Sequence, residues 1–325
     1  LNSRRLRAAL YQAGLAAALA LVAWYFVSNT QANLESRKIA SGFAFLAREA
    51  GFEIGETTFL AYSAADTYLR ALAVGVLNTF RVAGIGVVAA TLLGLLLGLA
   101  RLSPNWLLSK LSAGYVELIR NVPLLVQLFF WYAIITENLP GPRDALQPLP
   151  GVFLSNRGIV LPAIASWLPL ALEMPRLEGF NFVGGNALTP EFAALIVGLV
   201  IYTAAFIAEI VRAGVLAVSR GQVEAAYAVG LPRRAALRYI VLPQALRLVV
   251  PPMTSQYLNL TKNSSLAVAI GYPDLVSIAN TTMNQTGQAI EGIAIIMAVY
   301  LTISLSISAL MNSYNRRVAL KGTRR

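Results

Sequence analysis

SRGQVEAAYAVGLPRRAALRYIVLPQALR, residues 219–247, is a basic, proline-punctuated stretch set between two long apolar runs. Residues 221–229 have the composition of a short helix, and Ala225, Ala226 and Ala228 leave room for another surface to come close. Gly230 is placed to take the left-handed conformation that ends a helix. Pro232 then suits the first turn of a following helix, where no N–H is needed. Arg233, Arg234 and Arg238 hold the turn in water, Ile240 and Leu242 lead back into apolar sequence, and Pro243 bends the path. The stretch reads as a helix–turn–helix that projects from a membrane and is shaped to dock on something.

The flanking sequence supplies the membrane. Of 325 residues, 57% are apolar and 13% charged, against roughly 45–50% and about 25% in soluble domains. The mean hydropathy is +0.63, so charges are too few to coat a soluble surface. With no Cys and no His, disulfides, thiolate zinc sites, HExxH metalloprotease chemistry and Ser-His-Asp triads are excluded. No metal site and no catalytic residue is expected. Apolar runs at 8–27, 71–100, 114–136, 191–216, 249–270 and 292–311 each approach or exceed the roughly 20 residues that cross the hydrocarbon. The fold class expected is an all-α membrane protein with about six transmembrane helices.

A seventh apolar patch, 158–172, is short and carries Pro162 and Pro169, which would break a spanning helix. We read it as an external, interfacial or re-entrant segment. With the N-terminus inside, the inner pieces hold 17 basic residues and three acids, the outer pieces seven basic residues and 12 acids. That Lys/Arg bias places both termini in the cytoplasm. It also explains a net charge of +11 without nucleic acid. Trp24, Trp106 and Trp131 fall near expected boundaries, as an aromatic belt would have them. The outer segment 33–67 mixes acids with Phe43, Phe45, Phe52 and Ile54 and is interrupted by Gly42, Gly51 and Gly55. Packing against helix ends is preferred there over contact with a partner.

The spacing Glu224-Ala225-Ala226, three residues, Gly230, nine residues, Ile240, one residue, Leu242-Pro243 resembles the EAA signature of importer-type ABC transporter permeases. At usages of roughly 5–10% per residue type, coincidence at all seven positions is on the order of 10⁻⁸ per start position. VELIRNVPLLVQLFFWY (116–132), YTAAFIAEIVRAGVLAVSRGQVEAA (202–226) and PPMTSQYLNLTKNSSLAVAIGYPDL (251–275) are similar to polar amino acid permeases of the histidine/glutamine type. Among these, the first permease of the broad-range L-amino-acid and glutamate/glutamine/aspartate/asparagine systems looks most alike. Such relatives often carry a longer insert around 155–180, and the short one here argues against eight helices.

The resemblance implies a type I ABC importer permease fold whose short cytosolic helix couples an ATPase to the pore. It implies a bacterial inner-membrane location, alternating access, and an L-amino acid delivered by a periplasmic binding protein. A second homologous permease (a heterodimer) and two copies of an ABC ATPase would complete the assembly. ATP and Mg would bind the partner ATPase, with no cofactor on this chain, which has no GxxxxGK[ST] loop of its own. The division expected is 1–67 for an N-terminal helix and outer segment, 68–317 for the permease core with its insert 137–190, and 318–325 for a basic tail.

Polar residues inside membrane helices merit a functional hypothesis. Ser255, Gln256, Asn259, Lys262 and Asn263 fall in an arc of about 120° on one helix. Lys262, with Arg81, would form an electropositive funnel for an α-carboxylate, and Asn78 and Thr79 would add hydrogen bonds. The competing reading is that Lys262 fixes helix packing. Glu209 and Arg212, three apart on one helical face, would form an inner gate or an interfacial anchor. Asn121-Val122-Pro123 gives a bend without chemistry, and Gly94 with Gly98 reads as a small-xxx-small packing pair. An ion-gradient-driven secondary amino acid transporter is the alternative, although no repeat between halves is seen. An intramembrane enzyme lacks His, Cys or paired acids, and a passive channel would give the docking loop no purpose.

Overall fold

The computed structural model describes residues 3–36, 41–167 and 170–318. The expected tail lies, from 319 on, outside the described residues. Helix α1 (Ser3–Ser36) covers the first apolar run and α2 (Tyr68–Arg101) the second. The third run is split into α3 (Trp106–Asn121) and α4 (Leu124–Ala133), which continues through a wide turn to Asn138. Helix α5 (Pro190–Leu216) is followed by α6 (Arg220–Ala228), α7 (Arg233–Ala236) and α8 (Leu242–Asn263). A 3-10 turn (Ser264–Ile270) leads to α9 (Leu275–Thr286) and α10 (Ala289–Val318).

Helices therefore stand at all six apolar runs, but two are not simple rods. The α3–α4 pair bends by 103°, because Pro123 cannot continue the ladder and Val122 before it takes an extended backbone. The fifth run ends as a 3-10 turn, and its polar residues dilute α8. Among the described residues four helices are long and apolar enough to cross a membrane, at Leu6–Thr30, Tyr68–Arg101, Pro190–Leu216 and Ala289–Tyr314, and the bent pair would be a fifth if it forms one broken span rather than a re-entrant loop.

The insert departs from the all-helical expectation. It holds eight short strands: β1 (Leu146–Leu149), β2 (Val152–Ser155), β3 (Gly158–Leu161), β4 (Ala163–Trp167), β5 (Leu170–Glu173), β6 (Arg176–Glu178), β7 (Asn181–Val183) and β8 (Asn186–Leu188). Strands β1-β2-β3-β8 form an antiparallel sheet, and β4–β5 and β6–β7 are hairpins. The described residues of the 158–172 patch are thus mostly strand, in β3, β4 and β5, and form no spanning helix. Gly158 carries φ +108°, and a Cβ there would run into the Leu188 carbonyl oxygen of the paired strand.

The core is organised by the crossing of α2 on α5, where glycine lets two backbones approach. A Cβ on Gly94 would lie 2.6 Å from Ile207 Cβ, and one on Gly98 2.8 Å from Val211 Cβ. Ile207 and Val211 join Ala90, Val249, Met253 and Leu260 in one buried cluster between α2, α5 and α8. Overpacking such a site costs about 1–3 kcal/mol or more. Gly94→Val should lower the amount of folded chain recovered from membranes at least tenfold, measured by size-exclusion chromatography of a fluorescent fusion. Gly84→Ala, where nothing lies within 4 Å, should leave it unchanged.

The outer segment packs on the helix ends. Phe45, Ala50 and Ile54 are buried against Tyr68, Leu72 and Val74 of α2 and Leu275, Ile278 and Ala279 of α9. Gly42 is fastened to α10: its N–H donates to Glu291 Oε1 at 2.5 Å, and its carbonyl accepts from Gln288 Nε2 at 3.0 Å. Helix α1, by contrast, has none of its spanning window buried.

Candidate functional site

The docking loop is built from local hydrogen bonds. Helix α6 ends with Gly230 at φ +83°. Leu231 N–H donates to Ala226 O at 3.0 Å and Gly230 N–H to Tyr227 O at 2.9 Å. This is the paired bonding of a Schellman motif, which satisfies carbonyls that a helix end would otherwise orphan. Pro232 sits just before α7 rather than within it. From Leu237 to Val241 the chain winds one wide π-type turn, so that Pro243 can open α8 without a missing bond, while Gln244 Nε2 donates to Ile240 O at 3.0 Å.

Burial sorts the alanines. Ala226 is buried, so it belongs to the inside of the loop. Glu224, Ala225, Tyr227 and Ala228 are exposed and form the face open to a partner. The base is held by Val218, Val241 and Ala245 with Val215 and Val223. Ile240 is half-buried, Leu242 exposed and Pro243 half-buried at the return to α8.

On α8, Ser255, Asn259 and Lys262 are exposed, and Gln256 and Asn263 half-buried. The three exposed groups make a polar stripe about 10 Å long at 1.5 Å per residue. Among the described residues the Lys262 ammonium makes no ion pair or side-chain hydrogen bond.

Arg81, Asn78 and Thr79 are buried, unlike Ser255, Asn259 and Lys262. Arg81 is buried and donates to Glu56 Oε2 at 2.7 Å and Thr58 Oγ1 at 3.1 Å, with its guanidinium 4.0 Å from the Phe192 ring centre. Glu56 Oε1 accepts from Thr189 Oγ1 at 2.6 Å, and Asn78 Nδ2 donates to the carbonyls of Glu56 and Pro273. Thr79 Oγ1 donates to Gly75 O and accepts from Leu275 N. These side chains stitch the outer loop to α2, α5 and the start of α9, and among the described residues none of these bonds reaches Lys262. Glu56 escaped the sequence reading because it is 25 residues from Arg81 in a loop. A cation inside a helix implies a buried acid, and that was the available signal.

Glu209 pairs with Arg212 at 2.6 Å and also with Arg101, at the end of α2. Arg101 lies 108 residues from Glu209 in the chain, so no local spacing points to their pairing. The cluster sits where Gly98 meets Val211 and Ala208, the tight α2–α5 crossing.

Residues 90–320 match a family model described as a binding-protein-dependent transport system inner membrane component. The putative amino-acid ABC transporter permease protein YhdX of Escherichia coli K12 is 47% identical, over 97% of this chain and 94% of that protein. The general L-amino acid transport system permease protein AapQ of Rhizobium johnstonii is 42% identical, over 91% and 88%. A crystal structure of an amino acid ABC transporter with histidines superposes with a TM-score of 0.56 at 26% identity, covering 77% of this chain and 95% of that one. The exposed, glycine-capped loop with its EAA spacing and the match across most of the membrane core lead to one conclusion: the chain belongs to the family of inner-membrane components of binding-protein-dependent transport systems.

Proposed function

We propose that the chain is a permease subunit of an ATP-driven importer that moves L-amino acids across the bacterial inner membrane by alternating access. The observation that carries this is the exposed face of α6, with Glu224, Ala225, Tyr227 and Ala228, presented on a glycine-capped helix whose other face is anchored by Val223 and Ala226. On this reading both termini are cytoplasmic, and α6 seats in a cleft of an ABC ATPase present in two copies. A second, homologous permease completes the path, and a periplasmic binding protein delivers the substrate. ATP and Mg²⁺ belong to the ATPase. An ion-gradient-driven carrier gives the loop nothing to dock on.

Gentle extraction of the tagged chain from its native membrane tests the reading. The expected companions, identified by mass spectrometry, are a nucleotide-binding subunit and a second permease in stoichiometric amounts. A chain that came out alone and moved amino acids in liposomes without ATP would overturn it.

Lys262, with Asn259 and Ser255 beside it, is assigned to the substrate's carboxylate, since an exposed cation in the last turn of α8, within the fifth apolar run, needs an anion or water. Lys262→Ala should lower uptake about tenfold per assembled complex, and Lys262→Arg should retain most of it. A fall in complex yield alone, with uptake per complex intact, would make Lys262 a packing residue. Glu209, Arg212 and Arg101 are assigned to fastening, because the helices they join cross too closely to part as a gate.

A further inference from the structure

The helix that leads from the docking loop into the membrane carries cations at one end and exposed leucines beyond them. From Arg233 to Asn263 the chain is helical throughout, with the wide turn Leu237–Val241 inside it. Val241, Ala245, Val249 and Met253, each four residues from the next, are buried. Val241 and Ala245 meet Val215 and Val218, either side of the end of α5. The neighbouring row, Arg234, Arg238, Leu242 and Leu246, is exposed throughout. Residues eight apart on a straight α-helix differ in direction by about 80°. The wide turn takes up one extra residue, which brings Arg234 back to within about 20° of Leu242. Cations and leucines therefore share one face.

The cations of this face are unmatched. Among the described residues Arg233, Arg234 and Arg238 make no ion pair, and no Asp or Glu occurs between Glu224 and Asp274. The Arg238 guanidinium lies 5.7 Å from the centre of the Tyr239 ring, and an exposed tyrosine suits the boundary between headgroups and hydrocarbon. Height decides what the face meets. Helix α5 is about 40 Å long, so its end, where Val241 packs, stands near the inner edge of a hydrocarbon layer about 30 Å thick. Arg238 and Arg234 lie roughly 5 and 10 Å beyond Val241 along the helix, and Leu246 about 7 Å on the membrane side. Cations outside and leucines inside is the order of a phospholipid. A cytosolic subunit or a free phosphate would reach the arginines and leave the leucines uncovered. Guanidinium groups hold phosphate oxygens in pairs, and several cations without acids favour a lipid of net negative charge.

We propose that Arg234 and Arg238, with Arg233 beside them, bind the phosphate of an anionic phospholipid of the inner leaflet, whose acyl chains run along Leu242 and Leu246. The site presumes the cytoplasmic loop of the transport reading and goes beyond it: the loop that docks through α6 is anchored in lipid at its other end. It also gives the wide turn a purpose, since without the extra residue Arg234 would turn away from the leucines.

The purified transporter in nanodiscs with a minor share of phosphatidylglycerol in phosphatidylcholine provides the test. A photo-reactive benzoylphenylalanine in place of Leu242 should give lipid adducts enriched in phosphatidylglycerol at least fivefold over its share, read by mass spectrometry. The same group in place of Leu246 should agree. Arg234→Gln together with Arg238→Gln should bring the ratio to the bulk value, while adducts still form and the subunits still co-purify. Lys110→Gln, which removes another exposed cation, should leave the enrichment intact. Adducts in proportion to the bulk lipid, or mainly with another subunit, would overturn the proposal. So would an enrichment that survived the double substitution or vanished with Lys110→Gln. Because the readout needs no uptake, it stands or falls apart from transport. The chain has no native Cys, and Val229 is 77% exposed. Labelling of Val229→Cys from the outer side by an impermeant maleimide would overturn the cytoplasmic loop, and with it both readings.

Discussion

Gly230→Val should abolish ATP-driven uptake while leaving the chain in the membrane and paired with its second permease. The reasoning is confined to the backbone. Nothing lies within 4 Å of a Cβ at Gly230, so no side chain is displaced. At φ +83°, however, an L-residue pays roughly 1–2 kcal/mol, and a β-branched one is a genuine outlier. The chain will relax toward negative φ, losing the bonds from Leu231 to Ala226 and from Gly230 to Tyr227. Helix α6 is nine residues long, and an isolated helix of that length is marginal without its cap. Glu224, Ala225 and Ala228 then no longer share one face. Uptake into proteoliposomes with internal ATP should fall below about 5%, Gly230→Ala should fall less, and Gly230→Asn least, because Asn tolerates this region. Full uptake by the Val variant would mean that α6 does not transmit the ATPase's closure.

What could be read in the sequence was whatever depends on neighbours along the chain. The loop from Ser219 to Arg247 was legible because a cap is set by residues one to four apart. Its Pro232 shifted only from the first turn to the position before it. Gly94 and Gly98 were legible as a packing pair, although their partners Ile207 and Val211 were not. Pro162 and Pro169 were enough to deny 158–172 a spanning helix, but its strands were not legible, because pairing such as Ile159 with Leu188 joins residues far apart in the chain. The Asn121-Val122-Pro123 bend was legible from Pro123, whereas the hydrogen bonds that Gln127 Nε2 donates to Ile119 O and Val122 O depend on how α3 and α4 meet in space. Arg81 was placed correctly as an intrahelical cation but given an open funnel to face. The acid that neutralises it arrives from the outer segment, and no periodicity announces that.

Glu56→Ala should be the most destabilising single change at the outer end of the molecule. Glu56 and Arg81 side chains are 7% and 6% exposed, so deleting the acid strands a cation away from water. Breaking a buried pair from one side costs about 3–5 kcal/mol. The loss spreads, because Glu56 Oε1 also accepts from Thr189 Oγ1, and Thr189 caps α5 by accepting from Phe192 N at 3.3 Å. Its carbonyl anchors Asn78, but that bond belongs to the backbone and should survive. Thermal unfolding of the purified complex, followed by tryptophan fluorescence, should show the single variant unfolded at growth temperature. Adding Arg81→Met to Glu56→Leu should restore most of the stability, since two apolar groups of similar size replace a pair whose desolvation nearly offsets its attraction. The Asp66–Arg70 pair supplies the control: with side chains 28% and 44% exposed, it is worth about 0–1 kcal/mol, and Asp66→Ala, which also removes the exposed bonds from Ser63 N and Ser63 Oγ, should move the transition far less than Glu56→Ala. If Glu56→Ala proved as mild as Asp66→Ala, the outer segment would be a removable cover. If it fails as expected while the double variant folds, residues 41–67 are part of the permease core, and the Glu56 carboxylate that joins Arg81 of α2 to Thr189 at the start of α5 is needed beside their apolar packing and the Gly42 bonds to α10.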